Sequence, residues 1–218
     1  MDGVHDMGGM AGFGPVDPDS TSPTSEPWQA RAQVVTMLGA EAVRAAIEMI
    51  PPDEYLAASY FERWLIAGER TTVALGRTTT DELERWRERF AADPDAQPPR
   101  VDAPQGTDGL LEVLTTTSPL APASTPQFAV GERVRVRRMH PSGHHRCPRY
   151  VRGAVGVVER IAGDEYVPKA APGAEEGPLE AVYTVSFAST DLWGDQSDSG
   201  EAPFELLIDL WERYLEAP

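Results

Sequence analysis

Apolar positions recur every three to four residues in the first half of the chain and every two in the second. Trp28, Ala32, Val35 and Leu38 step by four, three and three, which predicts one helical stripe stopped by Gly39. Ser25 stands where it can cap that helix, with Pro27 in the first turn. Val43, Ile47 and Ile50 share a face of a short helix from about Glu41 to Ile50, ended by Pro51-Pro52. Arg44 lies next to that apolar face. Leu56, Tyr60, Phe61, Trp64 and Leu65 predict a broad aromatic-aliphatic face on a third helix, from about Tyr55 to Leu75, closed by Gly76. Thr79 and Glu82 have capping-box spacing and start a fourth helix, Asp81 to about Ala92, which Asp93-Pro94 ends.

After Phe128 the period changes to two. Val130, Val134 and Val136 alternate with Arg133, Arg135 and Arg137, a half-buried strand. Val151, Val155, Val157 and Val158 predict a second around Gly153 and Gly156, Val182 to Phe187 a third, and Phe204 to Leu210 a fourth. Short strands with glycine-marked turns predict a small, strongly bent antiparallel barrel. Residues 93–127 carry seven prolines and little periodicity, which reads as a linker. The expected division is therefore an arm and loop over 1–27, a helical domain over 28–92, the linker over 93–127 and a barrel over 128–218, an α+β chain of several domains.

The arm is the least regular part. Its first 16 residues hold five glycines and no periodicity, which excludes a helix or strand. It has neither the basic start nor the apolar run of a signal peptide. Val4, Met7, Met10 and Phe13 are spaced through it as in a segment lying extended across another surface. Composition narrows the partners. Lys plus Arg total 19 against 35 Asp plus Glu, a net charge of −16. That argues against phosphate backbones and anionic membrane surfaces. No apolar run approaches the roughly 18 residues a membrane helix needs. The single cysteine, Cys147, excludes an internal disulfide and points to the cytoplasm.

Candidate chemistry concentrates between His140 and Gly153. Three histidines and Cys147 within eight residues raise a metal site, but His144 and His145 are adjacent and diverge, and no second ligand pair follows. Two further readings stand: a polar loop between strands, or an arginine loop that holds oxyanions through planar donor forks. Arg44 reads equally as a helix arginine with a solvated head, and Tyr60 and Trp64 as helix-packing core.

The opening Met1-Asp2-Gly3-Val4-His5-Asp6-Met7-Gly8-Gly9 resembles the start of nitrile hydratase β subunits, MDG-hydrophobic-HD-x-GG. Gly143 to Gly153 is similar to that family's G-H-x-R-x-P-x-Y-x-R-G at every fixed position. Arg44 to Tyr55 matches the spacing of its arginine helix, with Met49-Ile50 replacing the usual Arg-Met. The stretch from Trp28 to Arg44 is shorter than in many members. Ser59-Tyr60-Phe61-Glu62-Arg63-Trp64 is similar to S-x-Y-Y-E-x-W/Y, and the strings around Trp193 and Trp211 resemble those of the family's barrel.

The resemblance implies an SH3-like barrel behind the helices. It implies hydration of nitriles to primary amides by a complex with a metal-bearing α subunit, αβ or (αβ)2, and no metal held by this chain. The metal would be Co(III) or Fe(III) in the partner, with Trp64 leaning toward cobalt-type members. Arg44 and Arg146 would hold oxygens of oxidised cysteine ligands across the interface. Tyr55, Tyr60 and Trp64 would line the nitrile pocket, and His5, Phe13, Tyr150 and Arg152 would lie at the interface. Cys147, at a variable position of the pattern, is expected as a packed thiol. Two other readings are a component resembling thiocyanate hydrolase and an accessory protein that delivers metal. The second rests on the likeness of Trp28-Gln29-Ala30-Arg31-Ala32 to the helical half of such activators.

Overall fold

A computed structural model describes residues 3–6, 26–39, 42–98, 125–194 and 202–218. Among the described residues, five helices precede a five-stranded antiparallel sheet, an α+β arrangement. The helices are α1 (Pro27–Gly39), α2 (Val43–Glu48), α3 (Pro52–Ala57), α4 (Tyr60–Ala74) and α5 (Thr80–Ala92). No helix among the described residues is long and apolar enough to cross a membrane.

The helical half departs from its apolar pattern in three places. On α1 the buried line is Ala32 and Thr36, while Trp28 and Val35 are exposed, Val35 at 65%. Gly68 of α4 explains this. A Cβ there would lie 3.3 Å from Thr36 Oγ1, so the helices approach closely and accept only small side chains between them. Leu38's side chain, Ser25, and the arm from Met7 onward, Phe13 included, lie outside the described residues. On α2 the buried residues are Ala45 and Ala46; Val43 and Ile47 are half-buried and line a cleft instead. The single helix expected over 55–75 is two. Ala58 is extended, and Ser59 and Glu62 form a reciprocal capping box, with Ser59 N donating to Glu62 Oε2 at 2.7 Å. Leu56 and Tyr60, expected on an apolar face, are about 60% exposed. The expected cap of α5 is present: Glu82 N donates to Thr79 Oγ1.

The sheet runs β4-β3-β2-β1-β5, with β1 (Arg133–Val136), β2 (Val155–Tyr166), β3 (Leu179–Ala188), β4 (Glu205–Trp211) and β5 (Leu215–Glu216). A one-turn helix α6 (Ser189–Trp193) follows β3. Val130 is 62% exposed and precedes β1, and Val151 sits in a 3-10 turn, Arg149–Val151, rather than in a strand. β2 continues to Tyr166, beyond its apolar run, because pairing with β3 carries it through two register shifts. Residues 155–157 pair with β1 and residues from 157 onward pair with β3, so Val157 belongs to both ladders. Gly156 is required by the close approach of β3: a Cβ would meet Ser186 O at 2.5 Å and the Phe187 ring at 2.8 Å. Val134, Val136, Val158, Val185, Phe187 and Leu210 form the core under this sheet, and Cys147 and Val151 from the loop before β2 complete it.

Candidate functional site

A cleft of about 670 Å³ opens beside α2, where the helical half meets the loops of the sheet. Arg44, Ile47 and Glu48 reach it from α2, Tyr55 from α3, and Tyr60 and Trp64 from α4. His5, His144, Lys169 and Glu176 close it from the other side. The capping box at Ser59 aims the aromatic wall. It starts α4 at Tyr60, so Tyr60, Phe61 and Trp64 stack as a cluster with ring centroids 5.0 to 6.4 Å apart. Phe61 is buried and holds the cluster; Tyr60 is exposed to the opening. Tyr55 is fixed from behind. The Arg63 guanidinium lies 4.0 Å over its ring, and Arg63 Nε donates to its carbonyl at 2.8 Å.

Glu48 ties three segments together. Its Oε1 accepts from His144 Nδ1 at 2.7 Å, and its Oε2 lies 3.5 Å from His5 Nε2. His5 packs edge-on against Tyr55. Burial holds the His5 ring below its ordinary value, against the opposing pull of Glu48. Asp6 then accepts from Arg149 N at 2.8 Å and thereby satisfies an amide at the start of the 3-10 turn. The described arm residues, 3–6, rest on this chain, and the remainder of the expected arm lies outside the described residues.

Arg146 lies outside the lining of this cleft, two residues along the same loop from His144. His145 and Cys147 are buried on either side of it, and Arg146 itself is exposed. Its guanidinium stands 5.9 Å from the Trp211 ring, and the Tyr214 hydroxyl accepts from its backbone N–H. Burial pushes the Cys147 thiol up to about 11, so it stays protonated as a packed thiol, as its place in the pattern suggested. Arg152 turns inward beneath the loop, and Tyr150 stacks against Trp193 at 5.6 Å.

Carboxylate partners are unevenly shared among the arginines. Arg70, Arg87 and Arg213 have carboxylate partners. Neither the Arg44 nor the Arg146 side chain has one among the described residues. A guanidinium carries a planar fork of donors suited to anionic oxygens. No group of three or more His, Cys, Asp or Glu side chains is arranged to hold a metal ion among the described residues.

The structure therefore brings His5, Arg44, Tyr55, Tyr60 and Trp64 to one cleft and leaves Arg146, Tyr150 and Arg152 off its lining. It adds Glu48, His144, Lys169 and Glu176. Glu48 had a local signal, one helical turn from Arg44 and on the same face. Lys169 had none beyond being the chain's single lysine.

Both halves of the chain are similar to known proteins. The family model described as nitrile hydratase beta subunit, N-terminal, matches residues 1–108, and the C-terminal model of the same subunit matches residues 118–217. The beta subunit of a low-molecular weight cobalt-containing nitrile hydratase from Rhodococcus rhodochrous is 36% identical, over 99% of each chain. The beta subunit of a cobalt-containing nitrile hydratase from Pseudonocardia thermophila is 32% identical, over 99% of this chain and 96% of the relative. Thiocyanate hydrolase subunit alpha from Thiobacillus thioparus matches less of the chain: 33% identity over 94 residues, 43% of this chain and 74% of that one. Whole-length likeness in both halves places the chain in the nitrile hydratase β-subunit family.

Proposed function

We propose that this chain works as the β subunit of a cobalt-type nitrile hydratase in the cytoplasm, hydrating nitriles to primary amides only when joined to an α subunit as αβ or (αβ)2. The observation that carries this reading is the whole-length likeness of both halves to nitrile hydratase β subunits, joined to a cleft that holds Arg44 beside an aromatic wall. The helical half supplies Arg44 and the aromatic wall; the C-terminal half, an SH3-like barrel in this reading, supplies Arg146. Residues 93–127 join the two.

The chemistry of the donor set fits a supporting role toward the metal. This chain offers no thiolate cluster, since its one cysteine is a buried neutral thiol. It offers instead cations suited to oxygens on oxidised cysteines of the α subunit. Lewis acidity toward the nitrile is the contribution of the metal when bound in the partner. The residues of this chain orient and balance charge. Arg146 and Arg44 donate to the anionic oxygens and fix their direction, which costs no reorganisation during the reaction. Tyr55, Tyr60 and Trp64 receive the substituent of the nitrile and exclude water from it.

Co-expression with the α chain of the same organism tests the reading. The complex should bind cobalt and form amide, and the β chain alone should do neither. Arg146→Lys should assemble and bind cobalt normally yet lose about 10²-fold in kcat, because lysine keeps the charge and lacks the fork. Near-native turnover in a fully loaded Arg146→Lys complex would overturn the role of Arg146.

A further inference from the structure

The loop that presents Arg146 runs from Arg137 to Pro148 without helix or strand. Something other than secondary structure must hold its backbone, because each residue left free costs about 1–2 kcal/mol to order. Arg152 does much of this. Its Nη1 donates to Met139 O at 2.9 Å, and its Nη2 and Nε donate to Cys147 O at 3.0 and 3.2 Å. The ring of His140 lies 3.2 Å from Nη1 and that of His145 3.4 Å from Nη2. One planar fork therefore joins the carbonyls at the two ends of segment 139–147. A guanidinium suits this position, since it has five donors and no acceptor, and the inward carbonyls of a loop need donors. Gly153, just after it, has φ +84°, and a Cβ there would meet the Arg138 side chain at 2.6 Å, so the chain turns tightly where Arg152 enters.

We propose that Arg152 is a positioning residue. It closes the loop from inside and so sets the backbone on which Arg146 is presented, rather than touching substrate or partner oxygens itself. The consequence for Arg146 is direct. Cys147 O, bonded twice to Arg152, belongs to the residue after Arg146, and His145, against the same guanidinium, is the residue before it. With both neighbours pinned inward, the Arg146 side chain has one way to face. Loss of the clamp leaves charge and sequence at Arg146 intact but lets its guanidinium wander, and misplacement of a preorganised donor by about 1 Å can cost up to roughly 10²-fold in rate.

The inference rests on the role proposed for Arg146, and Cys147 supplies a probe that does not. Cys147 is the chain's only cysteine, fully buried under the clamp. Opening the loop exposes it. The experiment uses the assembled, cobalt-loaded complex with wild-type β, Arg152→Gln, Arg152→Lys and Arg146→Lys. Alkylation of the Cys147 peptide by a maleimide is followed by mass spectrometry beside kcat and KM for one nitrile. In Arg152→Gln we expect alkylation to be faster by about tenfold or more, kcat to fall by about tenfold or more, and KM to change less than about threefold, since the cleft aromatics stand on helices. Arg152→Lys, able to reach one carbonyl at a time, should fall between. Arg146→Lys should lower kcat with Cys147 still protected. If Arg152→Gln does not assemble, Arg152→Lys carries the same two measurements. Wild-type kcat with an exposed Cys147, lowered kcat with a protected one, or no change in either overturns the proposal. A normal kcat in Arg146→Lys overturns the role of Arg146 instead, and the Cys147 result then still reports whether Arg152 closes the loop.

Discussion

Trp64 is half-buried, 6.0 Å from Tyr60, and faces the cleft rather than the body of the helices. Its truncation should therefore change what fits rather than whether the complex forms. Trp64→Ala is expected to shift the ratio of kcat/KM between a small aliphatic and an aromatic nitrile by about 1–3 kcal/mol, with cobalt content unchanged. An equal loss for both substrates together with failed assembly would return the residue to the core. His5 makes a prediction of a different kind. Burial holds its ring below the ordinary value of 6.5, so the folded chain prefers it neutral. In the unfolded chain the ring takes up a proton as pH falls through that ordinary range. The contribution is complete above it and is lost as pH drops toward the lowered folded value. His5→Gln should flatten the loss of stability between about pH 7.5 and 5.5, read from urea midpoints at each pH.

At the scale of elements, β2 pairs with both β1 and β3, and Gly156 is where β3 comes closest to it. Gly156→Ala must push a methyl group against Ser186 O and the Phe187 ring. Overpacking of this kind costs about 1–3 kcal/mol, visible as a lower midpoint with the same m-value. Much of the element pattern was legible in the chain. The change of period after Phe128 marks the passage from helices to sheet, and Thr79 with Glu82 starts α5 where its spacing said. The misreadings have physical causes. Apolar residues at helical spacing run through 55–75 and conceal the break at Ala58, although Ser59 and Glu62 carried its signature. Val35 fitted a stripe, but close approach at Gly68 selected Thr36 instead. β2 outruns its valines because strand length follows pairing with β3 rather than local composition. The cleft was half legible. Resemblance pointed to Arg44, Tyr55, Tyr60 and Trp64, whereas the contact of Glu48 with His144 spans 96 positions, which no periodicity encodes.

For the whole molecule, the first described residues act as a stitch between its halves. His5 meets Glu48 and Tyr55 on the helices, and Asp6 meets Arg149 on the loop before β2. Deleting residues 1–6 should lower the calorimetric unfolding midpoint of the isolated chain by a few degrees and broaden the transition, as the halves lose a shared tie. Removing one such contact set costs on the order of 1–2 kcal/mol, and in a chain of this size that is roughly 2–8 °C. An unchanged, equally sharp transition would show that the halves are joined by other means. Lys169 carries a last consequence. Of 19 basic residues it alone is a lysine, and it stands on the wall of the cleft. Amine-directed chemistry thus has a single side-chain address on this subunit, on the lining of the proposed site. A fluorophore attached there would report on what enters the cleft, while a resin coupled through that amine would hold the subunit by the face proposed to work.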